Sequence, residues 1–271
     1  MAPWIFTYFR VRRDNPMMTV QKRLIDYLMP RAEQAAVADV RIGLGYTAVR
    51  LDSGHAGVAW TPKETTAGCT HLRSAGTLAG RNALELLSML ADDHSALSRA
   101  VGLAAANALL AAAPRPAATQ DEVMASLGVT SDDRVAMVGY FAPVVARLKN
   151  SGCRLDVVEL SPFHGEATLT PEQGKEALSA CTIAVITGTS LINGTFDGVC
   201  VQLGDPRAAV LLGPSSPLCA EAFGGTPITH VAGSRVRDAD AVLRIVSEGG
   251  GTMVMKRYLD FETVLIHGDR K

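Results

Sequence analysis

The 271-residue chain lacks most of the short signatures that would name a chemistry. There is no complete GxGxxG, so a dinucleotide pyrophosphate is not offered its usual close-approach glycines. There is no GxSxG, and Ser215 follows Pro214 without an evident His-Asp pair, which leaves nucleophilic hydrolysis without a motif. CxxC is missing too. The five cysteines, Cys69, Cys153, Cys181, Cys200 and Cys219, are odd in number and scattered, which fits a reducing cytoplasm rather than a disulfide framework. Positive charge is not in excess. A net charge of -1 and a pI near 6.6 lack the basic footprint of nucleic-acid binding. No apolar run reaches the roughly 18 uncharged residues of a membrane span, so a soluble protein without a membrane partner is expected.

The first eighteen residues, MAPWIFTYFRVRRDNPMM, place aromatics before arginines, the reverse of a secretory signal, and the folded part is expected to begin at Met17 or Met18. Residues 21–38 read as a helix interrupted by Pro30. Residues 40–51 and 56–60 read as two strands of a hairpin around Asp52-Ser53-Gly54. Residues 76–90 and 95–113 read as helices, the second with small residues at helical spacing that permit close packing. Composition then changes: residues 111–119, AAAPRPAAT, read as a linker between an N-terminal α+β domain, 18–113, and a second domain, 120–265.

In the second part strands and helices alternate. Strands are expected at 135–138, 155–160, 183–186, 209–212 and 228–232, with 252–255 as a last one. Helices are expected at 144–151, 171–179, 194–201 and 238–247. This alternation predicts an α/β fold with a doubly wound, mostly parallel, Rossmann-like sheet.

The densest polar motif is Val185 to Thr195, VITGTSLINGT. An unalternating apolar run suits a strand buried on both faces, and Thr187, Gly188, Thr189, Ser190, Asn193 and Thr195 would then gather at its carboxyl end, where open α/β sheets bind ligands. Helix capping accounts for one or two of these groups. The rest point to a small-molecule ligand, with a carboxylate suited to the helix start. Gly213-Pro214-Ser215-Ser216-Pro217 offers a second polar loop. Arg235, in the loop expected after the next strand, could pair a ligand carboxylate, although a solvated arginine is the commoner case.

Gly139 follows the first strand of this part, and Glu159 lies 20 residues later, ending the second, where a carboxylate could accept both ribose hydroxyls of an adenosine. Tyr140, Phe141 and Pro143 fill the intervening loop, which suits a pyrophosphate poorly and shifts the expected cofactor from NAD to S-adenosylmethionine. Metal ligation has candidates in His55, Cys69, His71, His164 with Glu166, Cys219 and His230. None has the spacing of a structural zinc site, so no metal ligand is assigned.

Several stretches resemble the two-part family described as "putative heavy-metal chelation". They are RIGLGYTAVRL and GVAW within 41–60, GTLAGRNALELL at 76–87, GLAAANALL at 102–110, VGYF at 138–141, VVELSP at 157–162, ITGTSLINGT at 186–195, LLGPSSPL at 211–218 and VAGSRVRD at 231–238. The resemblance implies an N-terminal domain like the enolase N-terminal fold, a Rossmann-like second domain and a site in the cleft between them. The second part is also similar to S-adenosylmethionine-using enzymes, with Tyr140-Phe141 departing from their glycine-rich loop.

Together these readings predict an enzyme that binds S-adenosylmethionine through Gly139, Tyr140, Phe141, Glu159, Leu160, Ser161, Thr187, Gly188, Thr189, Ser190 and Ser216. Asn193 and Ser215 are the expected catalytic pair, for methyl or aminocarboxypropyl transfer or for ring closure at the sulfonium. The alternative is non-catalytic binding of a heavy-metal ion or metal chelate. A homodimer is the prior for such a fold.

Overall fold

The structure, a computed structural model, describes residues 18–63, 71–120, 122–159 and 168–266. Its first element is helix α1 (Val20–Ala32), which starts at Thr19, whose hydroxyl caps Lys22 N–H, and runs through Pro30. A three-stranded antiparallel meander follows: β1 (Val37–Ile42), β2 (Tyr46–Leu51) and β3 (Ala56–Trp60). The single strand expected over 40–51 is thus two strands. The break falls at Gly43, where an added Cβ would lie 2.0 Å from the Val246 carbonyl oxygen, so that turn exists only because the position is bare.

Two helices close the N-terminal part, α2 (Ala83–Ser88) and α3 (Ala96–Ala112). The first is shorter than the expected 76–90, because Asn82 accepts the Leu84 N–H and fixes the helix start there. The second fulfils the close-packing expectation. Its Ala104 and Ala108 lie against β3 at Gly57, where a Cβ would meet Ala108 N at 2.2 Å and Ala104 O at 2.4 Å.

The 111–119 stretch is not wholly linker. α3 extends to Ala112, and Ala118–Thr119 forms β4, paired with the last strand of the fold. Next come α4 (Val123–Ser126), β5 (Arg134–Val138), α5 (Ala142–Ser151), β6 (Arg154–Val158), α6 (Lys175–Ala180) and β7 (Ile183–Thr187). The expected helix over 194–201 is α8 (Phe196–Gln202), and a short helix that was not expected, α7 (Thr189–Asn193), precedes it, the two separated at Gly194 with φ 72°. The chain continues through β8 (Ala208–Leu212), α9 (Ala220–Phe223), β9 (His230–Val236), α10 (Ala239–Ser247), α11 (Thr252–Met255) and β10 (Leu259–Leu265).

The large sheet has the order β4-β10-β9-β8-β7-β5-β6. Strands β5 to β9 run parallel, and β10 and β4 close the far edge antiparallel. Residues 252–255, expected as the last strand, are helical, and β10 takes that place. Its sequence LDFETVL carries two acids and reads as surface. Glu262 is nevertheless 5% exposed, because Arg235 Nε donates to its Oε2 at 3.1 Å.

Three apolar clusters hold the layers. One joins α1, α2 and α3 to α7, α8, α9 and one sheet face; a second packs α4 and α5 on the other face; the third seats α10 on the meander through Tyr46, Val58 and Val246. No helix among the described residues is long and apolar enough to cross a membrane.

At the amino ends of the parallel strands, Asp133 accepts from Thr130 N at 3.0 Å, Thr182 Oγ1 at 2.8 Å, and Arg207 Nε and Nη2 at 3.1 and 2.8 Å. The Arg207 hydrogen bonds, helped by those of Thr130 and Thr182, hold the Asp133 carboxyl well below the usual carboxylate range.

Two outcomes follow. Gly57→Ala is expected to cost about 3 kcal/mol or abolish folding, because both colliding atoms are backbone; urea titration reads it. Asp133→Asn is expected to cost about 2 kcal/mol at pH 7, the Arg207 partner being partly solvated. A depressed native pKa gives stability that is complete above the unfolded-state pKa of about 4 and falls by roughly 1.4 kcal/mol per pH unit below it. The gap between wild type and Asp133→Asn should therefore narrow between pH 5 and pH 3 and be constant from pH 6 to 8.

Candidate functional site

Within the parallel part the chain goes from β5 outward to β6 and then returns to the other side of β5 as β7. The order reverses between β5 and β7, and open α/β sheets bind ligands beyond the carboxyl ends at such a point. Gly139, with φ 89°, turns the chain off β5, and an added Cβ there would lie 2.8 Å from Thr187 Cγ2 on β7. Tyr140 N–H donates to Glu159 Oε1 at 2.5 Å, tying this turn to the residue that follows β6. Gly188 N–H donates to Leu212 O at 2.9 Å, and a Cβ on Gly188 would lie 2.6 Å from Ser216 Oγ. The Phe141 ring comes within 3.5 Å of where a Cβ on Gly213 would sit. Gly139, Tyr140, Phe141, Glu159, Thr187, Gly188 and Ser216 thus form one contiguous rim. Leu160 and Ser161 lie outside the described residues, as do Cys69, His164 and Glu166.

The polar groups on this rim are largely engaged with one another. Thr187 Oγ1 and Thr189 Oγ1 are 3.0 Å apart, and Ser190 Oγ, 1% exposed, donates to Thr187 O at 2.7 Å. The helix expected to receive a ligand carboxylate is α7, only five residues long. Asn193 is the last residue of that helix and is half-buried.

Ser215 is 2% exposed. Its Oγ accepts the Trp60 N–H at 2.9 Å, and its carbonyl accepts Asn107 Nδ2 at 3.4 Å, while the same amide donates to Val58 O at 2.9 Å. The loop after β8 is therefore fastened to the meander and to α3, and this is how the N-terminal part meets the sheet rim. Ser216 Oγ is buried with no hydrogen-bond partner.

Arg235 does not face solvent or a ligand. It lies within β9 at 6% exposure, pairs with Glu262, and Nη1 donates to Leu110 O at 2.7 Å. The sequence signal for this was an arginine in VAGSRVRD together with the two acids of LDFETVL.

The metal candidates among the described residues do not gather in one place. His55 Nδ1 lies 3.1 Å from Ser53 Oγ, and His230 Nδ1 lies 2.7 Å from Thr229 Oγ1. Burial, with the charge of Glu221 adding to it, pushes the Cys219 thiol up to about 12. Among the described residues no three His, Cys, Asp or Glu side chains converge as a metal site.

A second feature of the same edge was not read from the sequence. An open groove of about 720 Å³ lies where the carboxyl end of β9 meets the β2–β3 turn, lined by Arg50, Asp52, Arg237, Asp238 and Asp240.

With this geometry in view, the comparisons can be placed. The sequence model of a family called DUF364 and described as "Putative heavy-metal chelation" matches residues 122–265, and a second, DUF4213, with the same description, matches 25–110. The chain belongs to the DUF364 family. An uncharacterized protein of Methanocaldococcus jannaschii is 29% identical over 245 residues, covering 88% of this chain and 93% of that one. A DUF364 crystal structure from Pyrococcus horikoshii, of unknown function, aligns over 92% of this chain and all of its own, with a TM-score of 0.79 at 23% identity. One from Desulfitobacterium hafniense, also of unknown function, aligns over 91% and 97%, with a TM-score of 0.78 at 19% identity. The fold is thus that of solved DUF364 proteins.

Ser215→Ala removes the acceptor of a part-buried N–H and is expected to cost about 1 to 2 kcal/mol. Denaturant melts followed by tryptophan emission check this. A loss below about 0.3 kcal/mol would show that the Trp60 bond does not hold the seam.

Proposed function

We propose that this DUF364 protein is a small-molecule enzyme that binds S-adenosylmethionine at the β5–β7 switch point and acts at its sulfonium. The reaction class is methyl or aminocarboxypropyl transfer, or ring closure. The observation that carries the reading is the position of Glu159, directly after β6 and beside the Gly139 turn. A carboxylate accepts several hydrogen bonds, so one oxygen anchored on Tyr140 N–H orients the group and leaves capacity for ribose hydroxyls. Thr187 and Thr189, both partly exposed, are the hydroxyls nearest the crevice for the amino-acid end. The cofactor supplies a positively charged leaving group; the chain's part is to hold the reacting atoms in line, which alone can contribute several orders of magnitude. The free cysteines 153, 181, 200 and 219 support a reducing, cytoplasmic setting, and a homodimer is the common assembly for such folds.

The family description favours a second reading, the binding of a heavy-metal ion or metal chelate.

Calorimetry separates the two. S-adenosylmethionine is expected to bind saturably, and Glu159→Ala to weaken it at least about tenfold. No heat at millimolar ligand would remove the first reading. About one equivalent of metal retained by untagged protein after supplementation would favour the second.

A further inference from the structure

The turn after β5 carries Phe141 where a phosphate-binding loop carries glycine. Two carbons of its ring lie 3.5 and 3.6 Å from the position a Cβ on Gly213 would take. Phe141 leaves the sheet from β5, Gly213 leaves it from β8, and β7 stands between those strands. The ring must therefore cross the end of β7. It does so on the sheet face whose apolar cluster Phe141, Tyr140 and Leu212 all pack against, while the Thr187 side chain fills the space beside Gly139.

Phe141 is also the N-cap residue of α5, without a side-chain cap, and Pro143 removes one N–H from that first turn. The helix end that would receive a phosphate is fronted by an aromatic ring. A phosphate placed there would lose water and gain no hydrogen bond from the ring, and the Glu159 carboxylate adds like-charge repulsion.

Resting on the adenosine reading of the switch point, we propose that Phe141 is a specificity-determining residue. It excludes phosphate-bearing ligands, so that the crevice admits adenosine, or derivatives with sulfur in place of phosphate at the 5′ carbon, and rejects nucleotides and dinucleotides.

The test is calorimetry of the full chain with adenosine, AMP and NAD. Wild type is expected to bind adenosine at least about tenfold more tightly than AMP or NAD. Phe141→Gly, a residue accepted at an N-cap, should narrow that gap about tenfold by tightening AMP and NAD themselves, whatever loss of the ring does to adenosine. Phe141→Tyr should keep the gap, and thermal melts of both variants control for folding. If adenosine binds but Phe141→Gly leaves the ratio unchanged, or wild type takes AMP and NAD as readily as adenosine, the role of Phe141 is overturned while the nucleoside site stands. If neither wild type nor Phe141→Gly takes up any of the three, both the site and the inference fall.

Discussion

The fold depends on how closely α3 can lie against β3. Ordinary side chains would hold the helix off the strand, and here the contact is backbone to bare Gly57, with alanines facing it. That approach brings Asn107, 7% exposed, within reach of both the β3 backbone and the loop after β8. One amide then ties three segments far apart in sequence, and Ser215 adds a hydrogen bond from Trp60 N–H. Were the helix to stand off by even one methyl group, these buried polar contacts would open together. The rim of the sheet and the meander are positioned by this seam.

The seam also changes how polar motifs in this chain are to be understood. GPSSP is hydroxyl-rich and lies at the carboxyl end of a parallel strand, the usual place for a ligand. Yet Ser215 is occupied by Trp60, and Ser216 lies against Gly188, almost fully buried. In TGTSLINGT the hydroxyls of Thr187 and Thr189 face each other and Ser190 turns back to the strand. A loop that must stop a strand, start a five-residue helix and break again at Gly194 has many backbone groups to satisfy, and short polar side chains satisfy them locally.

Much of the architecture was legible because it rests on periodicity. Unalternating Val, Ile and Ala runs mark β5, β7 and β8 as strands buried on both faces, and the glycines after them mark the turns. What was not legible depends on partners distant in sequence. Gly43 breaks a strand only because Val246 sits against it, and LDFETVL is a strand only because Arg235 neutralises Glu262. TMVM resembles a strand by composition, yet follows three glycines and needs only to bury Met255. For the site, Gly139 and Glu159 could be found by spacing along a strand-turn-helix-strand unit. That Tyr140 N–H would hold Glu159, and that Phe141 would reach as far as Gly213, depended on strand order, which no local pattern contains.

Two places on the same sheet edge could receive a ligand, and their electrostatics differ. In the groove beside β9, Arg50 pairs with Asp240 at 2.7 Å and Arg237 with Asp260 at 3.1 Å, with Asp240 and Arg237 well exposed. Exposed pairs contribute about 0 to 1 kcal/mol each, so a charged ligand there exchanges one solvated pair for another and gains little. At the switch point Glu159 is oriented by a backbone N–H. A ribose that reaches it replaces water with a pre-aligned acceptor, at no further ordering cost to the carboxylate. The less charged of the two places is therefore the one in which hydrogen bonding can discriminate between ligands.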